Sequence, residues 1–151
     1  MIRTKNRPLP MGHASPQFAK GLALTTGLTG TALLTSFTNP VTATLGAGNI
    51  LLYGFGYTLM KPRSEWNTWL GAIVGAIPPV MGWTAATYGS GGSMFDLESV
   101  YLGSSLFLWQ FPHFFALNWM YREDYKRGGF EMVAVNDERG DRTSSLITNY
   151  R

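Results

Sequence analysis

The chain of 151 residues contains no cysteine and very little charge. Without cysteine, a small secreted domain held by disulfides is excluded. Charged residues make up 14% of the chain, against roughly 25% in an average soluble domain. The shortage is concentrated. No Asp, Glu, Lys or Arg occurs from Gly21 to Met60, from Trp66 to Phe95, or from Ser99 to Tyr121. A soluble helical domain keeps one face strongly polar, whereas these stretches offer Gly, Thr, Ser, Ala and Leu. The first residues, Met-Ile-Arg-Thr-Lys-Asn-Arg-Pro, have no apolar core of a signal peptide. An aromatic content of 14% with a net charge of only +3 excludes a disordered chain. The same small charge, with no recognition motif for RNA or DNA, argues against nucleic acid as a partner.

What is present is a series of long apolar stretches. A bilayer core about 30 Å thick needs roughly 20 helical residues, and four segments fit. The expected spans are about 16–37, 41–59, 67–87 and 97–121, followed by a polar loop over 122–151. Thr38-Asn39-Pro40, Lys61-Pro62-Arg63 and Gly89-Ser90-Gly91-Gly92-Ser93 separate them, and Asp96 stands at the N-cap position of the fourth. This parity gathers Arg3, Lys5 and Arg7, then Lys61 and Arg63, then Arg122, Lys126 and Arg127 on one side. The opposite turns, 36–40 and 88–96, contain neither Lys nor Arg. By the positive-inside bias the basic side faces the cytoplasm or the mitochondrial matrix. The fold class expected is therefore all-α, a polytopic transmembrane bundle of about four spans. A Gly-rich soluble helical domain is the competing reading.

Several residues stand out within that frame. Gly71-x-x-x-Gly75, with Ala72 and Ala76, offers a face on which another helix can approach closely. Pro78-Pro79 removes two backbone donors within a span, which bends it or frees carbonyls beside a cavity. Gln110 and His113, three apart, are expected on one face, with Asp124 about 16 Å farther along the same stripe. His113 is then either bonded to a neighbouring helix or in contact with a substrate or metalloporphyrin. Arg3, Lys5 and Arg7, Tyr57 and Lys61 with Arg63, and Arg122, Asp124, Lys126 and Arg127, brought to one side, suit a phosphate ester held partly through Mg²⁺, with the apolar bundle behind them suited to a lipid tail. A solvated collar at the membrane surface is the plainer alternative for these charges.

The ordered motifs carry a resemblance. Arg3-Thr4-Lys5-Asn6-Arg7-Pro8-Leu9, Tyr57-Thr58-x-x-Lys61, Asn67-Thr68-Trp69-x-Gly71-Ala72-x-x-Gly75-Ala76-x-Pro78-Pro79, Trp109-Gln110-Phe111-Pro112-His113-Phe114 and Arg122-Glu123-Asp124-Tyr125-x-x-Gly128-Gly129 resemble the protoheme IX farnesyltransferase (heme O synthase) family of the UbiA prenyltransferase superfamily. The Asn67-Thr68-Trp69 and Trp109-to-Phe114 wordings are similar to mitochondrial members. The resemblance implies a nine-helix intramembrane bundle that transfers the farnesyl group of farnesyl diphosphate to a vinyl group of heme b, water completing the product. It further implies Mg²⁺ held through the diphosphate, heme b as substrate, and a multi-pass place in the mitochondrial inner membrane or a bacterial inner membrane. It also leaves room for a heme-handling or oxidase-assembly partner.

Carried over by position, Asp124 resembles part of the second acidic motif, with a catalytic and metal-binding role. Lys61 and Tyr57 are implied as catalytic, Arg3, Arg7, Lys61 and Arg122 as diphosphate-binding, and His113 as heme-binding. The family's first acidic motif, expected just ahead of Arg3, is not in the sequence, nor are the C-terminal spans. Four residues after Asp124 stands Gly128 in place of a second carboxylate. The expectation is thus one partial domain over 1–151, a fragment or a late-started reading frame, inactive alone. A four-helix membrane subunit or half-transporter without catalytic activity is the alternative that the same spans allow.

Overall fold

The first two long helices start where the sequence supplies a cap. In a computed structural model that describes residues 4–150, α1 (Pro16–Phe37) opens with Ser15 accepting from the Phe18 N–H at 3.1 Å and with Pro16 in the first turn. Helix α2 (Pro40–Leu51) repeats the device, Asn39 accepting from the Thr42 N–H at 2.9 Å. The Asn39 amide also donates to the Thr84 carbonyl at 2.8 Å, and the Thr42 and Thr84 hydroxyls meet at 2.8 Å. These buried bonds tie the start of α2 to the end of α4 (Asn67–Ala86). Helix α5 (Leu97–Met120) follows a loop in which Gly89 and Gly91 take positive φ values of 93° and 83°. Asp96 does stand at the N-cap of α5 but makes no capping bond there. Its carboxylate instead accepts from the Trp83 indole N–H at 3.1 Å and the Ser93 N–H at 2.7 Å.

The second expected span is not a uniform helix. After Leu51 the backbone widens into a π-helical segment (Leu52–Tyr57) and returns to α-helix in α3 (Thr58–Met60). Gly54 and Gly56 weaken the α conformation there. The Thr58 hydroxyl and N–H both bond the Tyr53 carbonyl five residues back, the hydroxyl at 2.8 Å. Such insertions shift the register of everything that follows.

Among the described residues there is no strand, and α4 is the one helix that is both long and apolar enough to cross a membrane by length and composition. It runs through Pro78 and Pro79 without ending. The carbonyls of Val74 and Gly75 therefore lack the usual donor four residues ahead. Its small residues let neighbours approach closely, as expected, α5 among them. A Cβ on Gly71 would lie 2.9 Å from the Tyr57 ring, and one on Gly75 would lie 2.1 Å from the Gln110 amide oxygen. Each glycine thus receives a side chain from a different neighbour.

The expected polar loop over 122–151 is corrected by the structure. Helix α6 (Arg122–Arg127), a 3-10 turn (Val133–Val135) and α7 (Asp141–Asn149) fold back over α5. Thr143, Leu146, Ile147 and Tyr150 recur at helical spacing on one side of α7 and are buried or half-buried. They close a core in which Ala72, Phe111, Phe115 and Val133 are fully buried. Tyr150 stacks on Phe111 with ring centres 4.1 Å apart, and its hydroxyl accepts from the Trp69 indole N–H at 3.1 Å.

Asp137 lies in the turn just ahead of α7. Its carboxylate accepts from the Thr143 N–H and hydroxyl, both at 2.7 Å, and from the Gly140 N–H at 2.9 Å. The Thr143 N–H does most to hold the carboxyl below the usual carboxylate range; burial opposes it, while the Thr143 hydroxyl, the Gly140 N–H and the Arg142 charge add to it. A carboxyl whose folded pKa is depressed stabilises the fold above its unfolded pKa. That contribution is lost as pH falls through the lower folded value. Amide protection at Gly140 and Thr143 is therefore expected to persist in mild acid and to fall only below about pH 4. Hydrogen exchange followed against pH checks this, and Asp137→Asn should flatten the profile.

Candidate functional site

Lys61 stands at the end of α3, where the chain leaves the helix. Tyr57 precedes it by four residues, the spacing at which side chains on a helix meet. The Lys61 ammonium accordingly stands 4.5 Å above the centre of the Tyr57 ring. Tyr57 is held from below by Gly71 and lies 5.3 Å from the Tyr53 ring. A larger residue at position 71 would push the phenol, and with it the cation it supports.

The returning tail is fastened to the same loop. The Glu131 N–H donates to the Lys61 carbonyl at 2.8 Å, and the buried Asn67 amide donates to the carbonyls of Glu131 at 2.6 Å and Ser64 at 2.7 Å. Arg142 pairs with Glu65 at 2.7 Å, and the Asn136 amide donates to the Glu65 carboxylate at 2.9 Å and that of Glu131 at 3.2 Å. Lys61 and the segment after α6 thus meet, a join that sequence reasoning missed. Its signal was the Val133-Ala134-Val135 run and the apolar spacing of α7.

Arg3 is outside the described residues. Arg7 is exposed in the turns before α1, its main chain bonded to Thr4 and Met11. Arg122 lays its guanidinium 4.3 Å over the Trp119 ring and approaches the exposed Glu123 carboxylate at 3.8 Å, a weak surface pair. Asp124 is half-buried in α6.

The expected stripe joining Gln110, His113 and Asp124 is not formed. Gln110 is buried, its amide donating to the carbonyls of Ala72 and Leu106, each at 3.1 Å. His113 is exposed on the outer side of α5, stacked on Trp109 with ring centres 4.8 Å apart. Three residues turn a helix through about 300°, so the edge of the core passes between the two. Beyond them Tyr121, with φ −109° and ψ 20°, interrupts the helix before Asp124 is reached. Among the described residues no group of three or more His, Cys, Asp or Glu is placed to hold a metal ion. With Asp124 alone these side chains do not make a magnesium site.

Comparison with known proteins bears on this arrangement. The chain is 54% identical over 135 residues to a human protein called protoheme IX farnesyltransferase, mitochondrial, covering 89% of this chain and 29% of that protein. Proteins of the same name from Yarrowia lipolytica and Arabidopsis thaliana are 48% and 42% identical, covering 89% and 97% of this chain. The chain spans 28% and 33% of their respective lengths. No solved structure matches it. The profile of the UbiA prenyltransferase family matches residues 1–149, nearly all of the helical chain described above, and the chain belongs to that family.

Proposed function

We propose that this chain is the central part of a protoheme IX farnesyltransferase, a multi-pass enzyme of the mitochondrial inner membrane. The observation that carries this is the 54% identity to the human relative of that name. Helices α1, α2 with its π-helical and α3 extension, α4 and α5 act as four of nine spans. Support for a membrane setting comes from burial. Only 17% of the apolar window of α4 is buried, and α1 has no buried residue although Phe18, Leu24, Leu28 and Phe37 lie along it. In water such faces would be a large aggregation liability.

The substrates are farnesyl diphosphate and heme b, and the basic side receives the diphosphate. Lys61, held over Tyr57, is the cation assigned to the leaving group, with Arg3, Arg7 and Arg122 as further anion-side groups. His113 is assigned to the heme side and Asp124 to the metal side. As the bond between farnesyl C1 and oxygen breaks, its electron pair leaves with the diphosphate, and a cation in place there stabilises the growing negative charge. The allylic cation adds to the heme vinyl group. Water then attacks the resulting cation and releases a proton. Magnesium is proposed to arrive with the diphosphate; since the described residues do not form a site for it, no step is drawn through it.

A chimera tests the assignment. The Saccharomyces cerevisiae relative is 44% identical over 134 residues. Exchanging those residues for the ones here should preserve conversion of heme b to the farnesylated heme, read by mass spectrometry. A folded chimera that makes none would overturn the reading. Within an active chimera, Lys61→Met is expected to lower turnover about a hundredfold.

A further inference from the structure

Behind Lys61 a single stripe leads away from the basic side. Tyr57 supports the ammonium, Tyr53 packs beside Tyr57, and Tyr53 in turn lines a groove of about 930 Å³ between α1, α2 and α4. Its wall is apolar apart from a few groups such as Asn49, whose amide oxygen is buried and without a hydrogen-bond partner. Gly46 is part of the same lining. A Cβ there would lie 2.8 Å from the tip of Leu34 and 3.0 Å from the tip of Met81, so side chains from α1 and α4 converge above one bare backbone position. Phe37 and Thr38 line the groove as well, nearer the end of α1.

We infer that Leu34 and Met81, meeting over Gly46, set the length of prenyl tail that the groove accepts. This rests on the reading of the chain as a prenyltransferase segment and adds the element of specificity to it. The occupant follows from the two ends of the stripe: a cation at one and a mostly apolar wall at the other fit an anionic head with an apolar tail. Eleven residues separate Tyr57 from Gly46 along α2 and its extension, roughly 16 Å at the rise of an α-helix. That reach is comparable with three extended isoprene units. A fourth unit would have to pass Leu34 and Met81, whose tips occupy the space directly over the glycine.

Binding of three probes to the full chain in lipid nanodiscs tests this: geranyl, farnesyl and geranylgeranyl diphosphate, each radiolabelled and measured by equilibrium dialysis. The wild type is expected to prefer the farnesyl over the geranylgeranyl compound. Leu34→Ala and Met81→Ala, made separately, should each raise the ratio of geranylgeranyl to farnesyl affinity by about tenfold, since the extra unit then gains a buried apolar path. An unchanged ratio in variants that still bind the farnesyl compound overturns the length limit and leaves the proposed function standing. Loss of all three probes from both variants also overturns it, because a length limit alters which tail fits and not whether a head is held. Wild-type protein that retains none of the three overturns the length limit, while the prenyltransferase reading is decided separately by the chimera.

Discussion

Phe111→Ala is expected to destabilise the protein by about 3–5 kcal/mol, the range for removing an aromatic side chain from a close-packed core. Phe111 is fully buried, and its ring touches four others: Trp69 at 6.3 Å, Phe107 at 5.0 Å, Phe115 at 6.2 Å and Tyr150 at 4.1 Å between centres. Those neighbours come from α4, α5 and the residue after α7. Truncation therefore removes the floor on which the tail rests as well as apolar contact area. The effect should be visible twice, as a lowered thermal midpoint in detergent and as faster hydrogen exchange in residues 141–150. A midpoint unchanged from wild type would show that the aromatic cluster contributes little. A lowered midpoint with full protection in the tail would show that α7 is held by its polar bonds alone.

The second large effect is expected at Gly75. An alanine there would place its Cβ 2.1 Å from the Gln110 amide oxygen and 2.7 Å from its carbon and nitrogen. The amide cannot stay. Moving it breaks the buried bond to the Ala72 carbonyl and overpacks the contact of α4 with α5. Overpacking costs about 1–3 kcal/mol and a buried polar group left without a partner about 1–3 more. The sum should be partly relieved in the double variant Gly75→Ala with Gln110→Ala, which clears the space. A double-mutant cycle measures this directly: the two changes together should cost less than their separate costs added. Strict additivity would mean that the two residues do not compete for one position.

Most helix boundaries were legible because they depend on local chemistry. Ser15-Pro16 and Asn39-Pro40 specify helix starts whatever surrounds them, and the glycines after Tyr88 specify a break. The π-helical segment was not legible. It depends on Thr58 reaching Tyr53 across one extra residue, and the same glycines are compatible with ordinary helix. The tail was missed for a related reason. Asp141–Asn149 is short and polar overall, and its few apolar residues acquire meaning only when α5 supplies Phe111 and Phe115 to cover. At the candidate site, Tyr57 and Lys61 were readable as a pair from a spacing of four. The proposed link from His113 to Asp124 assumed one continuous helix, and the backbone at Tyr121 ends it.

The fastening of residues 131–150 onto α4 and α5 also orders events in time. Domains form as the chain emerges from its N-terminal side. The helices carrying Trp69, Phe111 and Phe115 are made before Val133 and Tyr150, so those rings wait uncovered until the tail has left the ribosome. Closure over them joins positions from 18 to 81 residues apart, a late and partly non-local step whose delay leaves an aromatic surface that a chaperone can recognise.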